Sequence, residues 1–369
     1  MTRTTTSSSS SANQPVTLLS ELLLSPRTDG ALHPSAEAHL GTLSRKEFDE
    51  MVALAESNHV VMRAFQVLLD RLIAREDPER TDWTAAVLDK EKQRIARAVE
   101  HLHILCRTFE EEGLDLTVIK SLDHWPDLGS DLDLYTNTQP QALSEMLLRR
   151  FKAQLHSRSW GDRLACKWNF SIPGLPELLE FHVRRLGQTG ELVSFARQLP
   201  GRARVVNIAD QDFRVPCPVD RVLISTLQRM YRHFYFRLSD LINSANLVTS
   251  GALDFDQLRL TAERAGIWKG TAAYLVIVSD YVQQYSGTAL PLPEAVVREA
   301  AFCGGHAYFK RGFLRVPIMP QSIRLYRAQM GELLRQREFH NSARLGLLPW
   351  LATAAAMGQK LTGSDKGIW

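Results

Sequence analysis

The sequence predicts an α+β protein, with a small mixed sheet flanked by a helical amino-terminal region and a helical carboxyl-terminal domain. Two observations support this class. Apolar residues recur at helical intervals before residue 113 and again after residue 218. Between these two regions, short segments alternate apolar and polar residues, as strands do when one face is buried.

The first third of the chain is predicted to be helical behind a disordered tail. Residues 1–14 are dominated by Thr and Ser and lack the apolar stretch of a secretory signal. Within residues 15–114, Gly113 is predicted to end a long helix. The apolar stripe that marks this helix is formed by Leu88, Ile95, Val99, Leu102, Cys106 and Phe109.

Residues 115–217 are predicted to hold the sheet. The segment DLDLYT is the clearest strand, and Pro173 and Gly174 supply a turn between two later strands. Pro140 is placed to begin a helix. The expected elements are strands at 116–121, 131–136, around Trp168 and at 177–185, and a helix at 140–151.

The last part of the chain is predicted to be helical again. Residues 218–311 contain three amphipathic segments, the first of which runs unbroken from 220 to 248. Residues 312–369 are basic and include an apolar run at 345–357, so contact with a membrane surface, a partner-binding surface and a solvated basic face all stay open. The arginines of this segment are Arg315, Arg324, Arg327, Arg335, Arg337 and Arg344.

Composition excludes several classes of protein. Of 369 residues, 44% are hydrophobic and 23% are charged, which is typical of a soluble globular chain. The formal charge of +3 does not favour a nucleic-acid partner. The 4 cysteines are far apart and form neither a zinc motif nor a disulfide framework, so we expect a cytoplasmic protein. No apolar run is long enough for an ordinary transmembrane helix.

Two acids one residue apart form the main candidate site. Asp131 and Asp133 point to one face of the predicted strand, while Leu132 and Leu134 point to the core. Such close carboxylates repel unless a cation lies between them, and Mg²⁺ is the natural candidate. Glu180 on a later strand is placed to complete a site for two ions. This prediction requires that no Lys or Arg occupies the space between the three carboxylates. The alternative is a strand whose acids face solvent.

The order of these motifs resembles the nucleotidyltransferase superfamily that includes DNA polymerase β, and within it the branch of uncharacterised nucleotidyltransferases. The resemblance covers about residues 61–281 and places a sheet of that superfamily at 115–217. Two departures stand out, because Ser121 replaces a glycine at the turn and Glu180 replaces the commoner Asp. The matching positions are Lys120-Ser121, Asp131, Asp133, Glu180 with His182, a helix with His233, Arg237 and Asp240, and the helix start LDFDQL.

The resemblance implies a set of roles. Asp131, Asp133 and Glu180 are the expected catalytic residues and the ligands of two Mg²⁺ ions, and Glu180 accepts the proton of the acceptor hydroxyl. The NTP is expected to be held by Lys120, Ser121, Ser130 and Arg237. A side chain on Ser121 could crowd the approach of backbone N–H groups to phosphate.

Several of these positions also have a purely structural interpretation. We expect His182 to bond a backbone group and not a metal. Lys167 and Asn169 are expected on a solvated hairpin face, with the acceptor cleft as the alternative. The helix positions His233, Arg237 and Asp240 share one face, either as an ion pair or with Arg237 reaching the nucleotide.

The function predicted from these residues is Mg²⁺-dependent transfer of a nucleoside monophosphate from an NTP such as ATP to a hydroxyl-type acceptor. The acceptor stays open among a small molecule, a sugar, a peptide and a protein. Two alternatives use the same cleft: a non-catalytic module that binds a nucleotide or a partner, and glycosyl transfer from a sugar nucleotide.

Overall fold

The structure is a computed structural model that describes residues 14–25, 34–301, 307–317, 320–351, 353–354 and 357. It confirms the α+β class, because helices surround a small mixed sheet. The predicted tail lies outside the described residues except for Gln14, which begins the first helix. The carboxyl-terminal end of the basic segment lies outside them as well.

The amino-terminal region is helical, as predicted. The long helix begins where the Asp77 side chain accepts a hydrogen bond from the Arg80 backbone N–H at 3.1 Å, with Pro78 in the first turn. It ends before Gly113, whose φ of 67° favours glycine. The helices are α1 (Gln14–Leu24), α2 (Pro34–Thr42), α3 (Arg45–Asn58), α4 (Val61–Ala74) and α5 (Pro78–Glu111).

The central sheet has the strand order β1-β2-β5-β4-β3, in which only the β2–β5 pair is parallel. The predicted strand at 116–121 is shorter than expected, because Lys120 has a φ of 62° and Ser121 begins a 3₁₀ turn, Ser121–His124. The elements are β1 (Thr117–Val118), β2 (Asp131–Thr136), α6 (Pro140–Phe151), β3 (Gln154–Leu155), α7 (Trp160–Ala165), β4 (Lys167–Ile172) and β5 (Leu175–Val183).

One face of this sheet is the core, which leaves the other face for the polar side chains. Leu132 and Leu134 of β2 are fully buried, and so is Phe181 of β5. Phe181 stacks on Phe109 of α5 with ring centroids 5.8 Å apart. The alternation of side chains therefore places Asp131 and Asp133 on the opposite face, as predicted.

The expected unbroken helix at 220–248 is wrong. Helix α9 (Pro218–Thr226) continues into a π-helical segment, Leu227–His233, and Phe234 then adopts a left-handed backbone with φ 55°. A short strand, β8 (Tyr235–Phe236), pairs with a later strand before α10 (Leu238–Thr249) begins. The β8 pairing therefore separates α9 and its π-helical extension from α10, although the apolar periodicity of the sequence continues across the break.

The remaining elements pack around the sheet. The basic segment contacts the sheet domain, because Arg344 Nε donates to the Thr189 carbonyl at 2.9 Å. In the part of the chain that the structure describes, no helix has the length and apolar character needed to cross a membrane. These elements are α8 (Val193–Arg202), β6 (Arg204–Ile208), β7 (Gln211–Val215), α11 (Phe255–Arg264), α12 (Trp268–Ser286), α13 (Glu294–Ala300), β9 (Tyr308–Lys310), β10 (Phe313–Arg315), α14 (Gln321–Arg335) and α15 (Phe339–Gly346).

Candidate active site

The turn after β1 fixes the position of Lys120. Its φ of 62° is unusual for a residue with a side chain, and such backbone conformations cost about 1–3 kcal/mol. The positive φ therefore falls on Lys120 and not on Ser121, so a serine at 121 meets no backbone strain. The Ser121 hydroxyl accepts a hydrogen bond from the Asp133 backbone N–H at 2.8 Å. It thereby ties the turn to β2.

The carboxylates of two neighbouring strands converge on the polar face of the sheet. In the parallel β2–β5 pair, Asp133 lies in register with Glu180. Oxygen atoms of these two side chains and a ring nitrogen of His182 lie within 4.8 Å of one another. Asp131 is outside this group, and its carboxylate accepts from the Ser130 hydroxyl at 3.1 Å.

His182 differs from its predicted role. Its Nε2 lies 3.1 Å from Oε1 of Glu180, so it bonds a carboxylate of the site and not the backbone. Because an ionised carboxylate only accepts hydrogen bonds, this nitrogen is the donor. His182 thereby orients Glu180, as partners outside the ligand set commonly do at metal sites.

Two lysines occupy the polar face together with the acids. The Lys120 ammonium lies between Asp133, which it contacts directly, and Glu180, at 3.7 Å from Oε1. The Lys167 ammonium lies 2.5 Å from Oε2 of Glu180. The requirement that no lysine separates the carboxylates is therefore not met. Lys167 faces the site, and the expectation of a solvated hairpin face is wrong.

The charges of this cluster shift the pKa values of the acids in opposite directions. Burial alone would raise the pKa of Glu180, but Lys120, the hydrogen bond from His182 and Lys167 hold it well below its usual range. Burial raises the pKa of Asp131, and the nearby charges of Asp133 and Glu180 raise it further. The two lysines thus stabilise the charge of Glu180 but leave Asp131 poorly compensated.

Arg237 lies beside His59, with its Nη1 3.5 Å from the Nδ1 of that ring. It is not on a shared helix face with His233, because the chain turns at Phe234 and Arg237 caps the start of α10, where its N–H donates to Asp240 at 2.8 Å. Among the described residues, no acidic side chain pairs with its guanidinium, and its buried Nε has no hydrogen-bond partner. The predicted ion pair of Asp240 is instead made by Arg229, at 2.7 Å.

The buried histidines of this region have lowered pKa values. The pKa of His233 is lowered to about 2, first by burial and then by Arg232, Arg229 and Lys120. Burial and neighbouring arginines, Arg237 foremost, also hold the pKa of His59 well below its usual range. These side chains are therefore neutral at physiological pH.

Sequence reasoning missed Arg229 and His59, and it misplaced Lys167. The alternation in KWNFSI puts Lys167 on one strand face with Asn169, but only the antiparallel register, which pairs Lys167 with His182, shows which face that is. No local signal marks Arg229 or His59. His59 follows the end of α3, and Arg229 lies in the π-helical segment and pairs with Asp240.

Comparisons with known proteins add little. No protein-family model matches the chain, and no curated protein matches it either. Among solved structures, the chain is similar to an antigenic nucleotidyltransferase-like protein from Paracoccidioides brasiliensis, with a TM-score of 0.35 and 14% sequence identity. The match covers 55% of this chain and 97% of that one.

Proposed function

We propose that the chain is a Mg²⁺-dependent nucleotidyltransferase that moves a nucleoside monophosphate from an NTP to a hydroxyl-type acceptor. The observation that carries this proposal is the convergence of Asp133 and Glu180 from two parallel strands, with Asp131 on the same face of β2. Carboxylate oxygens are the ligands that Mg²⁺ prefers. When bound, the metal supplies positive charge that stabilises the triphosphate as it reacts.

The residues present fit this metal once Lys120 moves aside. The three carboxylates and the two ammonium groups leave one net negative charge in the cluster. If one divalent cation displaces the Lys120 ammonium while Lys167 stays paired with Glu180, the cluster becomes neutral. A second cation would leave it positive, so we expect that ion to arrive only with the negative triphosphate. Asp131, Asp133 and Glu180 would hold the ions, and His182 would orient Glu180.

The cationic wall of the cleft is suited to a triphosphate. Arg237 has no acidic partner among the described residues, and charge-assisted hydrogen bonds to phosphate satisfy such a guanidinium. Lys120, released from Asp133, is close enough to pair with the same phosphates. The backbone of Ser121 and the hydroxyl of Ser130 are the further nucleotide contacts in this proposal.

The transfer step balances with the groups of the site. The acceptor oxygen forms a bond to the α-phosphorus, the bond from that phosphorus to the β-phosphate oxygen breaks, and pyrophosphate leaves. The hydroxyl proton passes to the carboxylate of Glu180. Positioning and charge stabilisation supply most of the catalysis in such reactions.

One observation favours a second candidate, a non-catalytic module that binds a nucleotide. Lys120 pairs with Asp133 and Lys167 pairs with Glu180, so two of the three carboxylates have lysine partners. A protein that keeps Lys120 in place would hold the phosphates by cations alone. Its nucleotide affinity would then be the same with and without Mg²⁺.

The two candidates are separated by one experiment. Purified protein is incubated with labelled NTPs and sugar nucleotides in Mg²⁺ or EDTA, and pyrophosphate release and nucleotide binding are measured. We expect Mg²⁺-dependent pyrophosphate release that disappears in the double variant Asp131→Ala, Asp133→Ala. The matched control removes two exposed acids of α5, Asp82→Ala and Asp89→Ala, and should keep full activity. Nucleotide binding that ignores Mg²⁺ and yields no product would favour the binding module.

A further inference from the structure

An apolar groove lies beside the candidate active site. It has a volume of about 280 Å³ and runs between the π-helical segment Leu227–His233 and helix α14. Its walls are mostly apolar or aromatic, and neither the fold nor the proposed chemistry accounts for it. The residues that form these walls include Met230, Phe234, Ile323, Leu325, Tyr326 and Leu348.

A smaller cavity, the neck, lies between this groove and the residues of the carboxylate cluster. The neck is a cavity of about 40 Å³, and Lys120 and His182 are among the residues that line it. Gln188 and Arg232 line both the neck and the groove, so the two cavities lie next to each other. A buried water needs about 10–15 Å³ of such space, so the neck holds a few waters or one small functional group.

We propose that the groove and neck form the acceptor site, and that the acceptor is an apolar molecule that carries its hydroxyl on a small arm. This inference rests on the proposed transferase function and names its substrate class. The apolar body lies against Ile323 and Tyr326, while the arm passes Arg232 to reach the α-phosphate at the carboxylates. Sugars fit poorly, because their many hydroxyls would lose water without gaining hydrogen bonds from apolar walls.

The test compares acceptors in the Mg²⁺-dependent transfer assay. Four probes are used: a capped Leu-Ser-Leu peptide, a capped Gln-Ser-Gln peptide, 2-phenylethanol and glucose. We expect kcat/KM for the two apolar probes to exceed that for the two polar probes by about tenfold, which corresponds to partial burial of one apolar side chain. The comparison of the peptide with the alcohol shows whether the apolar body must be peptidic.

A pair of isoleucine variants tests the groove itself. Ile323 is 37% exposed in the groove, and Ile104 on α5 is 47% exposed outside it. Ile323→Asp is expected to raise KM for the apolar acceptors about tenfold and to leave KM for the NTP unchanged. Ile104→Asp makes the same change of charge and should alter neither value.

The outcomes distinguish this inference from the function on which it rests. Efficient transfer to glucose, or an unchanged KM for the apolar probes in Ile323→Asp, overturns the acceptor class and leaves the transferase intact. If no probe is modified, the transferase proposal is in doubt, and binding of the Leu-Ser-Leu peptide is then measured by fluorescence titration. Peptide binding that Ile323→Asp weakens would support the groove as a ligand site, and equal binding by both isoleucine variants would overturn it.

Discussion

Replacement of Lys120 by methionine removes the cation that separates two carboxylates of the site. In the metal-free protein, Asp133 loses its ammonium partner, whereas Glu180 keeps Lys167 at 2.5 Å. Loss of one partner from a buried ion pair costs about 3–5 kcal/mol. We expect the free energy of unfolding of Lys120→Met to fall by about 3 kcal/mol, at the lower end of this range, because Glu180 stays compensated.

The same replacement should strengthen metal binding, because the cation no longer competes with an ammonium group. Unit charges 3.7 Å apart, as in the Lys120–Glu180 pair, attract by about 4 kcal/mol at an effective dielectric constant of 20. In the wild type, the metal must displace the Lys120 ammonium, and hydration of the displaced ammonium offsets most of the lost attraction. A net gain of about 1.4 kcal/mol, or tenfold tighter binding, is the expected result.

The assay combines urea denaturation in EDTA with calorimetric titration of Mn²⁺, which takes the same oxygen ligands as Mg²⁺. The matched control is Lys46→Met, which removes a lysine whose side chain is 85% exposed on α3. This control should match the wild type in both measurements. A Lys120→Met protein that is as stable as the wild type in EDTA, or that binds Mn²⁺ no more tightly, would refute the exchange of ammonium for metal.

Three further predictions concern stability. Three buried histidines have lowered pKa values, so they take up protons only when the protein unfolds. These are His59, His124 and His233. The free energy of unfolding should therefore fall by about 4 kcal/mol per pH unit once the pH is well below 6.5. Urea denaturation at a series of pH values measures this slope. Arg229→Met should cost about 3–5 kcal/mol in chemical denaturation, because Asp240 stays buried without its partner, and a loss below 1 kcal/mol would contradict this. The lowered pKa of Glu180 stabilises the protein above its ordinary value of 4.5, and this contribution is lost as the pH falls through the folded-state pKa. Glu180→Gln should therefore show a shallower acid-induced loss of stability than the wild type, and an identical slope would contradict this.

Local pattern was enough to predict the carboxylates and the strands that carry them. Strand alternation puts Asp131 and Asp133 on one face, and the bounds of β2 are those expected. The placement of Glu180 also followed, because its segment alternates in the same way. The register that brings Glu180 beside Asp133 depends on the pairing of β2 with β5. These strands are about fifty residues apart in the sequence, so local pattern does not specify their pairing.

The partners of the lysine and arginine side chains were harder to predict from the sequence than the positions of the acids. Lys120 is predicted to bind phosphates; its ammonium lies against Asp133 and Glu180, because a buried charge is costly unless it is paired. The break at Phe234 was missed because the pairing of β8 with β10 comes from residues about eighty positions later. That break removes Arg237 from the helix face of His233 and turns the guanidinium toward His59, at 3.5 Å.

The proposed transfer requires a metal that takes the place of the Lys120 ammonium when a nucleotide binds. The most direct measurement is an anomalous difference map from crystals grown with Mn²⁺ and a non-hydrolysable NTP. We expect manganese peaks at the carboxylates of Asp133 and Glu180, with the Lys120 ammonium moved to the triphosphate. A nucleotide bound in the cleft with Lys120 still between the two carboxylates, and with no manganese there, would contradict it.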